Sequence, residues 1–209
     1  MSVAFQHVWG TILRKSWPFY GIVFLVLCLG ITVGSLTANG LGGLQASELQ
    51  DYLERFLEQV PGIKINNIDL MQTSVVNNIL LLVIVYFLGL TVIGIPIMLA
   101  LIFARGFILG FAVGFLFKEK ALRGIILAFA AILPQNLLYI PALIIGGGTA
   151  LAFTLLLIKR NFDSSIKIWP GFLYYNCIML VVFAIALGSS MIEAYVTPFL
   201  TKFVTRLIS

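Results

Sequence analysis

The sequence predicts an all-α, polytopic membrane helix bundle with five to six hydrophobic helical segments, one of them a broken or re-entrant hairpin. Composition is the first reason. The chain is 61% hydrophobic and 10% charged, with a mean hydropathy of +1.09, whereas soluble domains run at about 45–50% apolar and about 25% charged. A chain of 209 residues cannot hide that much apolar surface in a soluble core, so lipid must be the solvent for most of it. Run length is the second reason. Membrane barrels read as short alternating segments, while a spanning helix needs about 20 apolar residues, and the apolar runs here are long and unbroken. The third reason is punctuation: prolines and glycines interrupt these runs where a helix must end or bend.

Residues 1–16 form a short arm. Phe5, Val8, Trp9 and Ile12 recur at helical spacing and Arg14 and Lys15 close it, the pattern of an amphipathic helix lying on a membrane surface. A first span follows over Trp17–Leu36. It is longer than the apolar region of a signal peptide, about 7–15 residues, and reads as an uncleaved helix.

Residues 37–74 are the only long polar stretch and read as an acidic extramembrane loop within a single integral membrane domain, 1–209. After the flexible Asn39-Gly40-Leu41-Gly42-Gly43, Ser47 and Gln50 form a capping box that opens a helix. Leu49, Leu53, Phe56, Leu57 and Val60 share one face, Glu48, Asp51, Glu54 and Glu58 lie largely opposite, and Pro61-Gly62 ends the helix. With five acids and two bases the stretch carries a net charge of −3. The four glutamate and aspartate positions are candidate docking residues for a partner; the competing reading is a helix resting on the bundle or on headgroups.

The run 75–117 would be about 65 Å long as one helix, twice the hydrocarbon thickness of about 30 Å. Gly94-Ile95-Pro96 divides it into helices over about 75–94 and 96–117. Arg105 falls inside the second of these, and a buried arginine must face protein or snorkel. The charged corner Lys118, Glu119, Lys120 and Arg123 precedes another apolar run, 124–158. Its centre, Leu133-Pro134-Gln135-Asn136-Leu137-Leu138-Tyr139-Ile140-Pro141, holds two prolines and two amides. No straight lipid-facing helix accommodates them, because each proline removes a donor and the freed carbonyls need partners inside protein. A helical hairpin or re-entrant pair meeting near Pro134, Gln135 and Asn136 is expected, with the two amides meeting the freed carbonyls; a single crossing is the alternative. Gly146-Gly147-Gly148 permits close helix packing. The last span is Gly171–Ser190, followed by Ile192–Pro198, with Glu193, Tyr195 and Pro198, and then by an amphipathic tail of Phe199, Phe203, Val204 and Leu207 with Lys202 and Arg206.

The net charge of +5 does not point to nucleic acid, since the basic residues stand beside apolar runs, where they set topology. Arg14 and Lys15 argue for a cytoplasmic N-terminus in a multi-pass cell-membrane protein, but a hairpin at 124–158 would put Lys118, Lys120, Arg123, Lys159, Arg160 and Lys167 outside, against the same rule. A metal centre is not expected from one histidine, His7, and two cysteines, Cys28 and Cys177, in apolar runs. No phosphate-binding loop appears. Half of the eight acids lie on one helix face, not flanking a cleft. The expectation is a chain that is no enzyme and takes no cofactor, with the lipid bilayer as its first partner. Broken helices and Arg105 would equally suit a transporter or permease subunit.

Four stretches carry a family resemblance. Val75–Leu80, with Asn77 and Asn78, resembles the paired asparagines that open the second helix of the stage II sporulation protein M family. Leu101–Leu116, "LIFARGFILGFAVGFL", is similar to that family's next helix, and Ile132–Pro141 and Glu193–Pro198 are similar to its later signatures. Where wider relatives often carry histidine and glycine after the first proline, this chain has Gln135 and Asn136. The resemblance implies a membrane scaffold in engulfment that recruits two peptidoglycan-processing proteins, sporulation proteins D and P, to the septal membrane. It also makes Asn77, Asn78, Arg105, Pro134, Gln135, Asn136, Pro141, Glu193, Tyr195 and Pro198 the candidate site residues.

Overall fold

The computed structural model describes residues 2–43, 47–52, 55, 67–163 and 168–208, with the side chains of 2–16, 67, 69, 120–123, 202 and 205–208 excepted. Those residues form five long helices: α1 (Ser2–Gly40), α2 (Asn67–Gly89), α3 (Gly94–Ala131), α4 (Leu133–Phe162) and α5 (Ile168–Ile208). Each contains a stretch long and apolar enough to cross a membrane: Trp17–Gly40, Leu70–Gly89, Gly94–Glu119, Leu133–Phe162 and Ile168–Thr201. The chain is an all-α polytopic bundle.

Several boundaries move from their expected places. The N-terminal arm is not a separate surface helix: α1 runs on from Ser2 into the first span with Pro18 inside it. The lost Pro18 donor falls at the foot of the span, next to exposed Trp17, where water and headgroups can serve the freed carbonyl. The polar loop is shorter than 37–74, because α1 continues to Gly40 and α2 begins at Asn67. Within it, residues 47–52 and 55 are helical, with Glu48, Asp51 and Tyr52 exposed and Leu49 half-buried. Glu54 and Glu58 lie outside the described residues. The break around Gly94-Ile95-Pro96 is a turn over residues 90–93, which sets Pro96 in the first turn of α3, where its missing donor is harmless.

The largest correction concerns 124–158. The chain does reverse, but ahead of this run and not within it near Pro134. Leu116 packs with Leu127 and Ala128, which a straight helix would hold about 17 Å further along its axis. Arg105 lies over the Tyr139 ring, a contact that α3 as a straight rod could not reach. The axis of α3 therefore turns back between Leu116 and Leu127, at the charged corner, where Lys118 and its neighbours leave the hydrocarbon. From there the chain descends continuously. Leu127 pairs with Leu116, Tyr139 with Arg105, and Gly147 faces Ile102 and Val23. Residues 124–162 thus cross once, with a step at Ile132, the residue between α3 and α4. Pro134 sits in the first turn of α4, so it starts this helix and does not disrupt it.

A single crossing decides which charges share a face. Arg14 and Lys15 lie at the same end of the bundle as Lys159 and Arg160, the basic residues of the last turn of α4. Lys118 lies at the other end, where its Nζ donates to Asn39 O at 3.2 Å and to Leu41 O, so it caps the C-terminus of α1.

α1 and the first arm of α3 run parallel and touch backbone to backbone. A Cβ on Gly30 or Gly34 would collide with the carbonyls of Phe103 or Phe107, and one on Gly106 or Gly110 with those of Leu27 or Ile31. At Gly114 the nearest atoms, of Ser35, would stand at 2.9 Å. Apolar side chains gain little by leaving lipid for protein, so this close approach and its dispersion contacts supply the association. On α4, Gly147 and Gly148 receive Val23 and the Tyr20 ring in the same way. Lower in the bundle Tyr175 stacks between Tyr86 and Phe153, with centroids 5.2 and 4.8 Å away, and its hydroxyl donates to Tyr86 O at 2.8 Å.

Candidate functional site

At mid-depth the bundle holds a polar network that joins α2, α3, α4 and α5. Its centre is Asn78, which is 3% exposed and lies about 12 Å along the axis from Leu70 and about 16 Å from Gly89, the ends of its span. Asn78 Oδ1 accepts from Arg105 Nη2 at 3.1 Å. Its Nδ2 donates to Ser190 Oγ at 3.1 Å and to Glu193 Oε2 at 3.3 Å. Its backbone carbonyl accepts from the Tyr139 hydroxyl at 3.2 Å. One amide therefore joins a cation to an anion, each on the end of its dipole that suits the charge.

Both charges have further company. The Arg105 guanidinium carbon lies 4.8 Å from the Tyr139 ring centre, a cation–π contact in a setting where water does not compete. Its Nε is buried without a partner among the described residues. Glu193 accepts from the Ser74 hydroxyl. With the Gln135 amide oriented so that donor meets acceptor, Gln135 also donates to both carboxylate oxygens, at 2.7 Å to Oε1. Ser189 Oγ donates to Gln135 O at 2.8 Å and closes α5 onto the start of α4. A lone arginine at the centre of a membrane helix costs at least about 2.5–3.5 kcal/mol on insertion scales. Here a carboxylate, an amide and an aromatic face offset that cost.

The paired motif residues divide between two surroundings. Asn78 is the centre of the network, whereas Asn77 is exposed on the other side of α2. Gln135 meets Glu193, whereas Asn136 turns away: its Nδ2 donates to Ile132 O at 2.7 Å. Ile132 O is the carbonyl four residues before Asn136 itself, not one of the two that Pro134 and Pro141 leave free, those of Ala130 and Leu137. Gln135 serves a side chain. Asn136 also borders an apolar cavity of about 270 Å³ between α1, both arms of α3 and the head of α4. Pro141 is exposed within α4, Tyr195 is 50% exposed and Pro198 is half-buried within α5, so these three lie outside the network. Glu193, expected beyond the last span, falls within it, because α5 continues unbroken to Ile208 and its apolar stretch runs to Thr201.

Ser74, Tyr139, Ser189 and Ser190 belong to the site and were not singled out from the sequence. A signal for two of them exists in the spacing. Ser74 stands four residues before Asn78 and Ser189 four before Glu193, so each shares its helix face with the residue already chosen.

These features define a class: a multi-pass α-helical membrane protein whose intramembrane charges are held inside the bundle by hydrogen bonds. The chain belongs to the stage II sporulation protein M family, whose model matches residues 23–198. That range contains Asn78, Arg105, Gln135 and Glu193. Comparison with curated proteins and with solved structures gives no match. Membership makes the chain a sporulation-related membrane protein.

Proposed function

We propose that this chain is a non-enzymatic scaffold in the cell membrane for sporulation engulfment, recruiting peptidoglycan-processing partners, sporulation proteins D and P, to the septal and mother-cell membrane. The observation that carries this reading is the closed character of the network. Arg105 and Glu193, the charges at mid-depth, are bound to Asn78, Ser74 and Gln135. Neither the cavity beside Asn136 nor a second one between α1, α4 and α5 is lined by Arg105, Asn78 or Glu193. Such an arrangement serves a rigid platform better than a solute path. The docking surface we propose is the loop between α1 and α2, where Glu48 and Asp51 are exposed and free to meet a basic partner, with the N-terminus in the cytoplasm and this loop outside.

A transporter or permease subunit remains the second reading, favoured by an acid and a base at mid-depth in one bundle. Affinity recovery from sporulating cells separates the two. Tagged chain should co-purify with the wall-processing proteins, and Glu48→Lys with Asp51→Lys should lower that recovery several-fold while membrane insertion is unchanged. Purified alone with cell walls, the chain should release no muropeptides above a boiled control. Recovery of a nucleotide-binding subunit in place of wall-processing proteins would favour the permease.

A further inference from the structure

The second cavity lies at the end of the bundle opposite the acidic loop. It is a cleft of about 210 Å³ between the foot of α1, the last turns of α4 and the start of α5, bordered by Phe19, Thr149, Phe153, Leu156, Tyr174 and Lys159. Its depth can be read from its neighbours. Trp17 is 79% exposed and Trp169 68% exposed, one on each flanking helix, and such tryptophans mark the headgroup level. The apolar lining therefore reaches into the acyl region, while exposed Lys159 stands at the mouth beside exposed Arg160. The wall facing α1 is fixed by the Tyr20 hydroxyl on Thr149 Oγ1 at 3.2 Å, and by Gly148, which leaves room for the Tyr20 ring.

Charge is distributed unevenly between the two ends. Among the described residues, Arg14, Lys15, Lys159 and Arg160 fall at this end, against Asp163 as its acid; the opposite end carries six basic and four acidic residues. A positive rim around an apolar cleft at headgroup depth matches one kind of occupant. Its anionic head would lie on Lys159 and Arg160, and a hydrocarbon chain would fill the space lined by Phe153 and Leu156.

We infer that this cleft is a binding site for one anionic phospholipid. The lipid phosphate is held at the mouth by Lys159 with Arg160 beside it, and one acyl chain enters between α1, α4 and α5. Juxtamembrane basic residues attract anionic lipid diffusely; the cleft turns that attraction into a site by giving the chain a fixed place. An occupant there bridges the helix that opens the bundle to the two that close it.

Native mass spectrometry of the full chain in detergent tests the inference, with phosphatidylglycerol and phosphatidylcholine as probes. The wild type should retain one phosphatidylglycerol at a concentration where phosphatidylcholine is lost. Lys159→Gln should weaken retention roughly fivefold, the effect of one basic side chain at an anionic surface, and Lys159→Arg should restore it. Ala152→Phe, which fills the cleft, should abolish retention of phosphatidylglycerol with the rim charges intact. Lys120→Gln, the same charge change at the opposite end, should have no effect. Equal retention of the two lipids overturns the inference, as does an equal loss with Lys159→Gln and Lys120→Gln. Thermal unfolding of each variant in the same detergent identifies any that fail to fold, and Lys159→Gln, at an exposed position, carries the test if Ala152→Phe is one of them.

Discussion

α3 takes part in two interfaces that work on opposite principles. Toward α1 it presents Gly106, Gly110 and Gly114, and the contact is backbone on backbone. Toward α2, α4 and α5 it presents Arg105, and the contact is a relay of hydrogen bonds through Asn78 to Glu193. The first interface depends on what is missing, since any added atom meets a carbonyl. The second depends on what is present, since the loss of one group leaves another charged or polar and unpartnered in lipid. Two adjacent residues, Arg105 and Gly106, therefore fail in different ways: the seam is sensitive to volume and the network to pairing.

The largest expected effect is on the seam. Gly110→Leu drives a side chain into Ile31 backbone, and nothing flexible is there to yield. Loss of the monodisperse folded species on size exclusion in detergent is expected. Gly188→Ala, whose Cβ enters open space, should leave that peak unchanged; equal damage from both would mean that the seam is not special.

Next comes the network. Arg105→Met should destabilise by about 3 kcal/mol, because the half-buried Glu193 is left inside the bundle without its cation. Adding Glu193→Gln should restore part of this. A double-mutant cycle on unfolding in detergent is expected to give a coupling above about 0.5 kcal/mol. Additive effects would break the view that Asn78 joins the two charges.

The smallest contrast is within the asparagine pair. Asn78→Leu removes the centre of the network and should cost about 1–3 kcal/mol. Asn77→Leu changes an exposed position and should stay within about 0.5 kcal/mol. Identical unfolding shifts for the two would place the function of the pair outside the network.

Much of this was legible in the residues. Run length and the placement of charge gave the spans, because a helix in lipid must be long, apolar and internally hydrogen-bonded. The cost of an intramembrane arginine pointed to Arg105. The amides after Pro134 marked a real interruption, and Gly146–Gly148 a real close contact. The seam had a signal as well: glycine at every fourth position from 106 to 114 is a helix-packing pattern.

What the sequence by itself determined is therefore the material: five to six apolar segments that lipid must surround, the charges that must be sheltered, and the places where the backbone must be broken or bare. Only the tertiary structure decided how these meet. It put the reversal at 118–123 and not at Pro134, drew Glu193 into the membrane, and chose Asn78 over Asn77 and Gln135 over Asn136. The physical reason is that lipid penalises an unpaired charge or carbonyl without specifying its partner. Arg105 had to find an anion, but which of eight acids it met depended on the packing of four helices whose relative rotation no local spacing encodes.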